Sequence, residues 1–163
     1  MKTIAFIGAG NMGGALARAA CRAIDPKEVV IYEPNAAAAA ALAEETGCIA
    51  AASGAEAVRA AKYVMLCVKP QVLPGVLGGL VPALKDGIAA GEHRVLVSIA
   101  AGVQLATLAG ILAAGGVELP TVRIMPNTPA SIGEGVLLMA PDAAVTDEDY
   151  SGLTDALRCS GLL

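Results

Sequence analysis

Short unbroken apolar runs alternate along this chain with longer helix-like stretches. The short runs are Ile4 to Ile7, Glu28 to Tyr32 with Val29, Val30 and Ile31 at its centre, Ile49 to Ala52, Tyr63 to Val68, Arg94 to Ile99, Thr121 to Met125 and Gly135 to Met139. Runs of this length with no polar alternation predict strands buried on both faces. The intervening stretches predict helices over Met12 to Ile24, Ala36 to Thr46, a short piece ending near Ala61, Gln71 to Leu84 and Leu105 to about Ala114. A last helix follows Thr146, with Tyr150, Leu153 and Leu157 on one face. Strand–helix alternation throughout predicts an α/β fold with a doubly wound, mostly parallel sheet.

The punctuation agrees with this order. Asp25-Pro26 ends the first helix. Asn35 is placed to cap the second and Gly47 to stop it. Ser53 caps the short piece, and Lys69-Pro70 breaks the run before it. Two prolines stiffen Met125-Pro126-Asn127-Thr128-Pro129. Thr146 caps the last helix, with Asp147, Glu148 and Asp149 in the first turn where the helix dipole favours acids. The sequence closes on Gly161-Leu162-Leu163, which reads as an approach to further structure.

Ligands of such sheets sit outside the carboxyl ends of the strands, where the strand order reverses. The residues that follow strand ends are therefore the informative ones. After the first strand come Gly8, Gly10 and Gly13, spaced G-x-G-x-x-G and leading directly into a helix. Strand, glycines and helix in that order form the context of a Rossmann-like dinucleotide-binding turn. Gly8 would allow the tight turn, Gly10 the approach of a pyrophosphate, and Gly13 the close packing of helix on strand. Glu33 follows the second strand, at the place where an acid commonly holds the ribose 2′-hydroxyl of NAD and repels the 2′-phosphate of NADP.

Composition narrows the picture further. The 163 residues are 56% hydrophobic, with one Phe, three Tyr and no Trp, so the core must be built from Ala, Val, Leu and Ile. A mean hydropathy of +0.66 is consistent either with covered sheet faces or with an apolar surface meant for a partner. The net charge is −4 and the basic residues are scattered, so nothing suggests a nucleic-acid groove. Cys21, Cys48, Cys67 and Cys159 are far apart in sequence and form no C-x-x-C, and His93 is the only histidine, so metal-ligand spacing is absent. Cys67 reads as a small core residue, and His93 as a solvated loop residue with no catalytic part. Val95 to Val117 carries no charge and is long enough to span a bilayer. Its pattern breaks at Ala101-Gly102, so a strand, a loop and a helix are expected instead of a membrane span. Reduced thiols and the absence of a cleavable leader fit a cytoplasmic protein.

Several pieces together resemble the pyrroline-5-carboxylate reductases. They are Phe6-Ile7-Gly8-Ala9-Gly10-Asn11-Met12-Gly13, Val68-Lys69-Pro70-Gln71, Ser98-Ile99-Ala100-Ala101-Gly102-Val103, Arg123-Ile124-Met125-Pro126-Asn127-Thr128-Pro129-Ala130 and Gly133-Glu134-Gly135. The glycine motif alone is generic; the Val-Lys-Pro-Gln and Met-Pro-Asn-Thr-Pro pieces in this order are specific. The resemblance covers essentially all of residues 1–163. It implies a dinucleotide-binding domain, with residues 146–163 leading towards a helical domain that makes the dimer and supplies substrate contacts. No residue here matches that second domain, so the chain is expected to be the cofactor half, with full-length protein a homo-oligomer.

The implied activity is hydride transfer from NAD(P)H to the ring imine of 1-pyrroline-5-carboxylate, giving proline. The family generally uses NADP(H) and often tolerates NAD(H). Ile7, Gly8, Ala9, Gly10, Asn11, Met12 and Gly13 would wrap the pyrophosphate, with Glu33 and Asn35 near the adenosine ribose. Val68, Lys69 and Pro70 would border the cofactor, and Ala100, Ala101 and Gly102 would leave room for the nicotinamide. Asn127 would face the nicotinamide or the substrate. Members often carry an asparagine near Ser53-Gly54; here the position has no amide, and Ser53 is the available substitute. No residue in the chain suggests itself as the acid that protonates the imine. A nucleotide-sensing module without catalysis and a 3-hydroxyacid dehydrogenase-like enzyme are the competing readings. No nucleic-acid or membrane partner is expected.

Overall fold

A computed structural model describes residues 1–163. The chain runs β1 (Lys2–Ile7), α1 (Asn11–Ala23), β2 (Val29–Tyr32), α2 (Ala36–Thr46), β3 (Ile49–Ala50), α3 (Gly54–Ala60) and β4 (Ala61–Leu66). It continues with α4 (Leu73–Ala89), β5 (Val95–Ser98), α5 (Leu105–Ala114), β6 (Thr121–Met125), β7 (Gly135–Val136), β8 (Leu138–Pro141), α6 (Asp147–Leu157) and β9 (Gly161–Leu162). Seven strands form one sheet in the order β3-β2-β1-β4-β5-β6-β8, parallel except for β8, which pairs antiparallel with β6 at the edge. The order reverses between β1 and β4, which places the switch point beside the glycine-rich turn.

Both sheet faces are covered, and this explains the unbroken apolar runs. Ile4 and Phe6 point towards α1, α2 and α6, into a cluster with Leu16, Leu42, Leu153 and Leu157. Ala5 and Ile7 point the other way, towards α3, α4 and α5, with Val58, Leu77, Leu84 and Leu112. Period-two alternation therefore exists in space but not in hydropathy. The uncharged Val95 to Val117 segment resolves into β5, a loop and α5, and no helix is long and apolar enough to cross a membrane.

Several boundaries differ from expectation. The strand placed at Tyr63 to Val68 lies earlier, at Ala61–Leu66, because α3 runs into β4 without a loop. The third strand shortens to Ile49–Ala50, its backbone continuing only as far as an Ala51 N–H bond to Ile31. The helix expected over Gln71 to Leu84 begins at Leu73 and continues to Ala89, since its buried stripe of Leu73, Leu77, Leu80 and Leu84 extends to Gly87. Pro82 lies inside it, removing one backbone donor without ending the helix.

The strand placed at Gly135 to Met139 divides in two. Gly135–Val136 pairs with Gly161–Leu162 in a separate small sheet, and Leu138–Pro141 joins the main sheet. Leu137 turns inward between them, almost wholly buried, and its N–H donates to the Leu162 carbonyl. The last residues thus pair back onto the domain, although the Leu162 side chain is exposed.

Candidate functional site

Five loops meet at the carboxyl edge of the sheet. They follow β1 at Gly8, β2 at Glu33, β4 at Cys67, β5 at Ile99 and β6 at Pro126. Backbone bonds continue the ladder beyond the strands and fix the loops together. Gly8 N–H donates to Tyr32 (2.8 Å), Cys67 N–H to Ile7 (2.8 Å) and Ile99 N–H to Leu66 (3.2 Å).

The three glycines of the turn have different reasons to be glycine. Gly8 has φ +97°, a conformation that disfavours any side chain, and a Cβ there would press on the Cys67 carbonyl at 3.1 Å and Val68 Cγ1 at 3.3 Å. Gly13 is buried where helix crosses strand; a Cβ would overlap the Gly8 carbonyl oxygen and lie 2.8 Å from Cys67 Cβ. Gly10 has φ −67°, and a Cβ there would meet nothing within 4 Å. The fold needs glycine at positions 8 and 13. At position 10 a side chain would project into open space above the turn, at the amino end of α1, so the fold itself leaves that space clear for a ligand.

α1 begins at Asn11 with no side-chain cap and no acid in its first turn. Its first N–H groups lack helical partners and carry the positive end of the dipole, which is a ready anion site. α2, α3 and α6 are capped by Asn35, Ser53 and Thr146, whereas α4 and α5, like α1, start without a side-chain cap. Asn35 accepts from Ala38 N–H at 3.1 Å and Ser53 from Glu56 N–H at 3.1 Å, so both side-chain oxygens are engaged as caps.

Glu33 is half-buried beside the turn. Its Oε2 accepts from Ala9 N–H at 3.0 Å, and its Oε1 from Asn35 N–H at 3.1 Å. The carboxylate therefore joins the glycine-rich loop to the start of α2.

On the other side of Met12, the loops after β5 and β6 enclose a recess of ≈ 230 Å³ lined by Met12, Ala100, Ala101, Arg123, Met125 and Pro126. The small Ala100 and Ala101 form part of its wall; Gly102, at φ +74°, turns the chain away. Arg123 was not anticipated as a lining residue. Its signal in the sequence was a cation inside an otherwise uncharged strand, where a charge is costly unless it faces an opening. Val68 packs on Gly8, while Lys69 is exposed, its carbonyl accepting from Val72 and Leu73 N–H as the chain turns into α4. Asn127 is exposed and its Oδ1 accepts from Val136 N–H at 2.9 Å, so it pins the two-proline loop to β7 and does not line the recess.

A larger hollow, ≈ 620 Å³, opens at the opposite, amino edge around Lys2, Lys62, His93 and Asp149. It is the seat of a structural knot. Asp149 is buried (2% exposed) and takes His93 Nε2 at 2.9 Å and Lys62 Nζ at 3.0 Å, while it completes the capping box with Thr146. His93 is thus solvated on one side, as expected, but tied on the other to α6. Cys21 and Cys48 also meet, contrary to their distance in sequence. Their mutual interaction lowers the Cys48 thiol and raises that of Cys21. Cys67, expected inside the strand as a small core residue, instead follows β4 in the loop and is half-buried against the edge of the core; burial there pushes its thiol up.

The sequence pattern of the family described as NADP oxidoreductase, coenzyme F420-dependent, matches residues 3–102. The chain is 37% identical to the pyrroline-5-carboxylate reductase of Escherichia coli over 162 residues, covering 98% of this chain and 57% of the relative. The NADP-bound crystal structure of pyrroline carboxylate reductase from Plasmodium falciparum superposes with a TM-score of 0.81 at 26% identity, over 99% of this chain and 56% of that one. A pyrroline-5-carboxylate reductase structure from Coxiella burnetii gives 0.88 at 24% identity, over 99% and 57%, a likeness of fold. The chain spans little more than half the length of the curated relatives it matches.

Proposed function

This chain belongs to the family of NADP oxidoreductases described as coenzyme F420-dependent, and from that premise we propose that it is the cofactor-binding part of a pyrroline-5-carboxylate reductase. Residues 1–163 form one dinucleotide-binding domain, and residues 146–163 lead towards whatever completes the site. The observation that carries the reading is Gly10, a glycine that no contact of the fold requires, at the mouth of an uncapped helix.

The site residues fit a nicotinamide dinucleotide. Backbone N–H groups of the turn and of the first turn of α1, from Gly10 to Gly13, would hold the pyrophosphate, with Ile7, Gly8 and Ala9 as its floor. Glu33 and Asn35 would lie at the adenosine ribose. Val68, Lys69 and Pro70 would border the dinucleotide, and the Ala100–Gly102 wall would receive the nicotinamide beside Met12. The bound cofactor, NADP(H) or NAD(H), supplies the hydride for the ring imine of 1-pyrroline-5-carboxylate. This chain's part is to orient the dinucleotide and to keep water from one side of it. Asn127 holds the two-proline loop at the edge of the recess, towards the substrate. The groups lining the recess include no acid that could protonate the imine. That donor, the other substrate contacts and the homo-oligomer contacts belong to the part of the protein that the relatives have in addition. Cytoplasmic location fits the thiol content.

The test is to titrate the chain with NADPH and NADH, and then to add 1-pyrroline-5-carboxylate and follow oxidation of the reduced nicotinamide. Saturable nucleotide binding with turnover close to the blank is expected. Binding of neither nucleotide would overturn the cofactor role. Rapid proline formation would overturn the assignment of the proton donor elsewhere.

A further inference from the structure

The crossover helices of a parallel sheet run back to the edge where its strands begin. The last turn of α1 and the start of β3 therefore meet at the amino edge. Cys21 stands in that last turn, and Cys48 immediately precedes β3. Both belong to the cluster on the sheet face of Ile4 and Phe6, Cys48 buried within it and Cys21 half-buried at its rim. One turn earlier α1 and α2 are already joined. Arg18 donates through Nε and NH2 to the two carboxylate oxygens of Glu45, each at 2.8 Å. Cys21 and Cys48 each follow three residues later, so the ion pair and the thiol pair are neighbours along one seam.

The joint that carries Cys48 is fixed from within. Gly47, left-handed at φ +79°, ends α2 and turns the chain into β3. The Thr46 hydroxyl donates to the Leu42 carbonyl at 2.7 Å and accepts from Cys48 N–H at 3.3 Å. That hydroxyl and the two thiols interact with one another. The pair lies at the opposite end of α1 from the glycine-rich turn, so dinucleotide binding does not account for it. The other two thiols lack this arrangement. Burial alone acts on Cys67, which packs beside Gly13, and Cys159 lies in the turn after α6.

We propose that Cys21 and Cys48 form a redox-modification site, at which a small hydroperoxide closes an intramolecular disulfide between α1 and the joint of α2 with β3. The peroxide enters beside the half-buried Cys21. Cys48 is the attacking thiol because its neighbours favour its thiolate, whereas Cys21 keeps its proton until the second step. The Cys48 thiolate attacks one peroxide oxygen, the O–O bond breaks, and the other oxygen leaves with a proton as an alcohol, or as water from hydrogen peroxide. Cys48 is thereby oxidised by two electrons to a sulfenic acid, and the peroxide is reduced by two. The Cys21 sulfur then attacks the Cys48 sulfur and the S–O bond breaks. The departing hydroxide takes the Cys21 proton and leaves as water. Two thiols and one hydroperoxide thus give one disulfide, one alcohol and one water. In a reducing compartment thiol exchange reopens the bond, so the modification is reversible.

The experiment treats the reduced, native 163-residue chain with hydrogen peroxide, blocks the remaining thiols with iodoacetamide and maps the peptides by mass spectrometry. Free thiols are expected to fall from four to two per chain, with a cross-linked Cys21–Cys48 peptide that dithiothreitol releases. Cys21→Ser should lose the cross-link and hold Cys48 as a sulfenic acid that dimedone traps. Cys48→Ser should lose the cross-link and leave Cys21 unlabelled by dimedone at the same dose. The wild-type map needs no variant, so misfolding of either one leaves the proposal exposed to test. Four thiols that survive the peroxide, disulfides between other cysteines or between chains, or a Cys21–Cys48 bond that forms only in urea overturn it. Dimedone labelling of Cys21 in place of Cys48 overturns the choice of attacking thiol.

Discussion

Gly13 packs its bare Cα against the carbonyl of Gly8, so that the end of the glycine-rich turn closes on its beginning. A Cβ at position 13 would overlap the Gly8 oxygen and crowd Cys67 Cβ at 2.8 Å. Backbone cannot yield as a side chain can. Gly13→Ala should therefore destabilise the domain by about 2–3 kcal/mol, read as a lower urea midpoint with unchanged slope. Gly10→Ala should leave the midpoint within about 0.5 kcal/mol of wild type, because its Cβ meets nothing. The two glycines separate the demands of folding from those of ligand.

Acid should weaken the fold through Asp149. Burial pushes its carboxyl up, but hydrogen bonds from His93, Lys62 and Thr146 outweigh burial and hold it at about 2. A carboxyl that ionises more readily folded than unfolded adds stability above its unfolded value of about 3.9. That contribution is lost as pH falls through the folded value of about 2. Asp149→Asn should cost about 1–3 kcal/mol near neutrality. In urea melts taken from pH 6 downwards, its gap from wild type should narrow below about pH 4 and nearly close by about pH 2. A gap independent of pH would show that the charge of Asp149 contributes nothing.

Arg94 tests whether the amino edge is structural only. Its side chain is 1% exposed, donates from Nε to Val58 and from NH2 to Arg59 carbonyls at 2.9 Å each, and pairs with Glu92 at 2.6 Å. It thus closes the carboxyl end of α3, and Gly87 lacks a side chain because the guanidinium fills its place. Arg94→Met should lose roughly 2–4 kcal/mol by leaving buried carbonyls without donors. Dissociation constants for nucleotide, measured well below the melting temperature, should not move, since Arg94 precedes β5 and the binding edge follows it.

Much of this was legible in the sequence, for physical reasons that differ by element. Asn35 and Gly47 delimit α2 as expected, because cap and stop are local chemistry written in two residues. The glycine-rich turn was legible because strand, glycines and helix are consecutive. β7 and β8 were not legible, because their division depends on Leu137 finding the Leu162 carbonyl, a partner far along the chain. The same applies to His93, whose partner Asp149 lies on α6. At the site, Glu33 could be placed at the strand end by counting, but its bonds to Ala9 and Asn35 depend on how the turn after β1 folds beside the end of β2. Arg123 was visible as the lone cation of an uncharged strand and within a motif, but no sequence pattern tells which face of β6 opens on the recess.

The central claim is that the turn from Gly8 to Gly13 holds a dinucleotide pyrophosphate over the open face of Gly10. The most direct measurement compares NADH and NADPH titrations of wild type and Gly10→Val, with thermal melts of both proteins. The account predicts saturable one-to-one binding by wild type, similar melting temperatures, and at least about a hundredfold loss of affinity in the variant, the scale of one well-placed side chain blocking a preorganised anion site. Undiminished affinity in a folded Gly10→Val protein would contradict it.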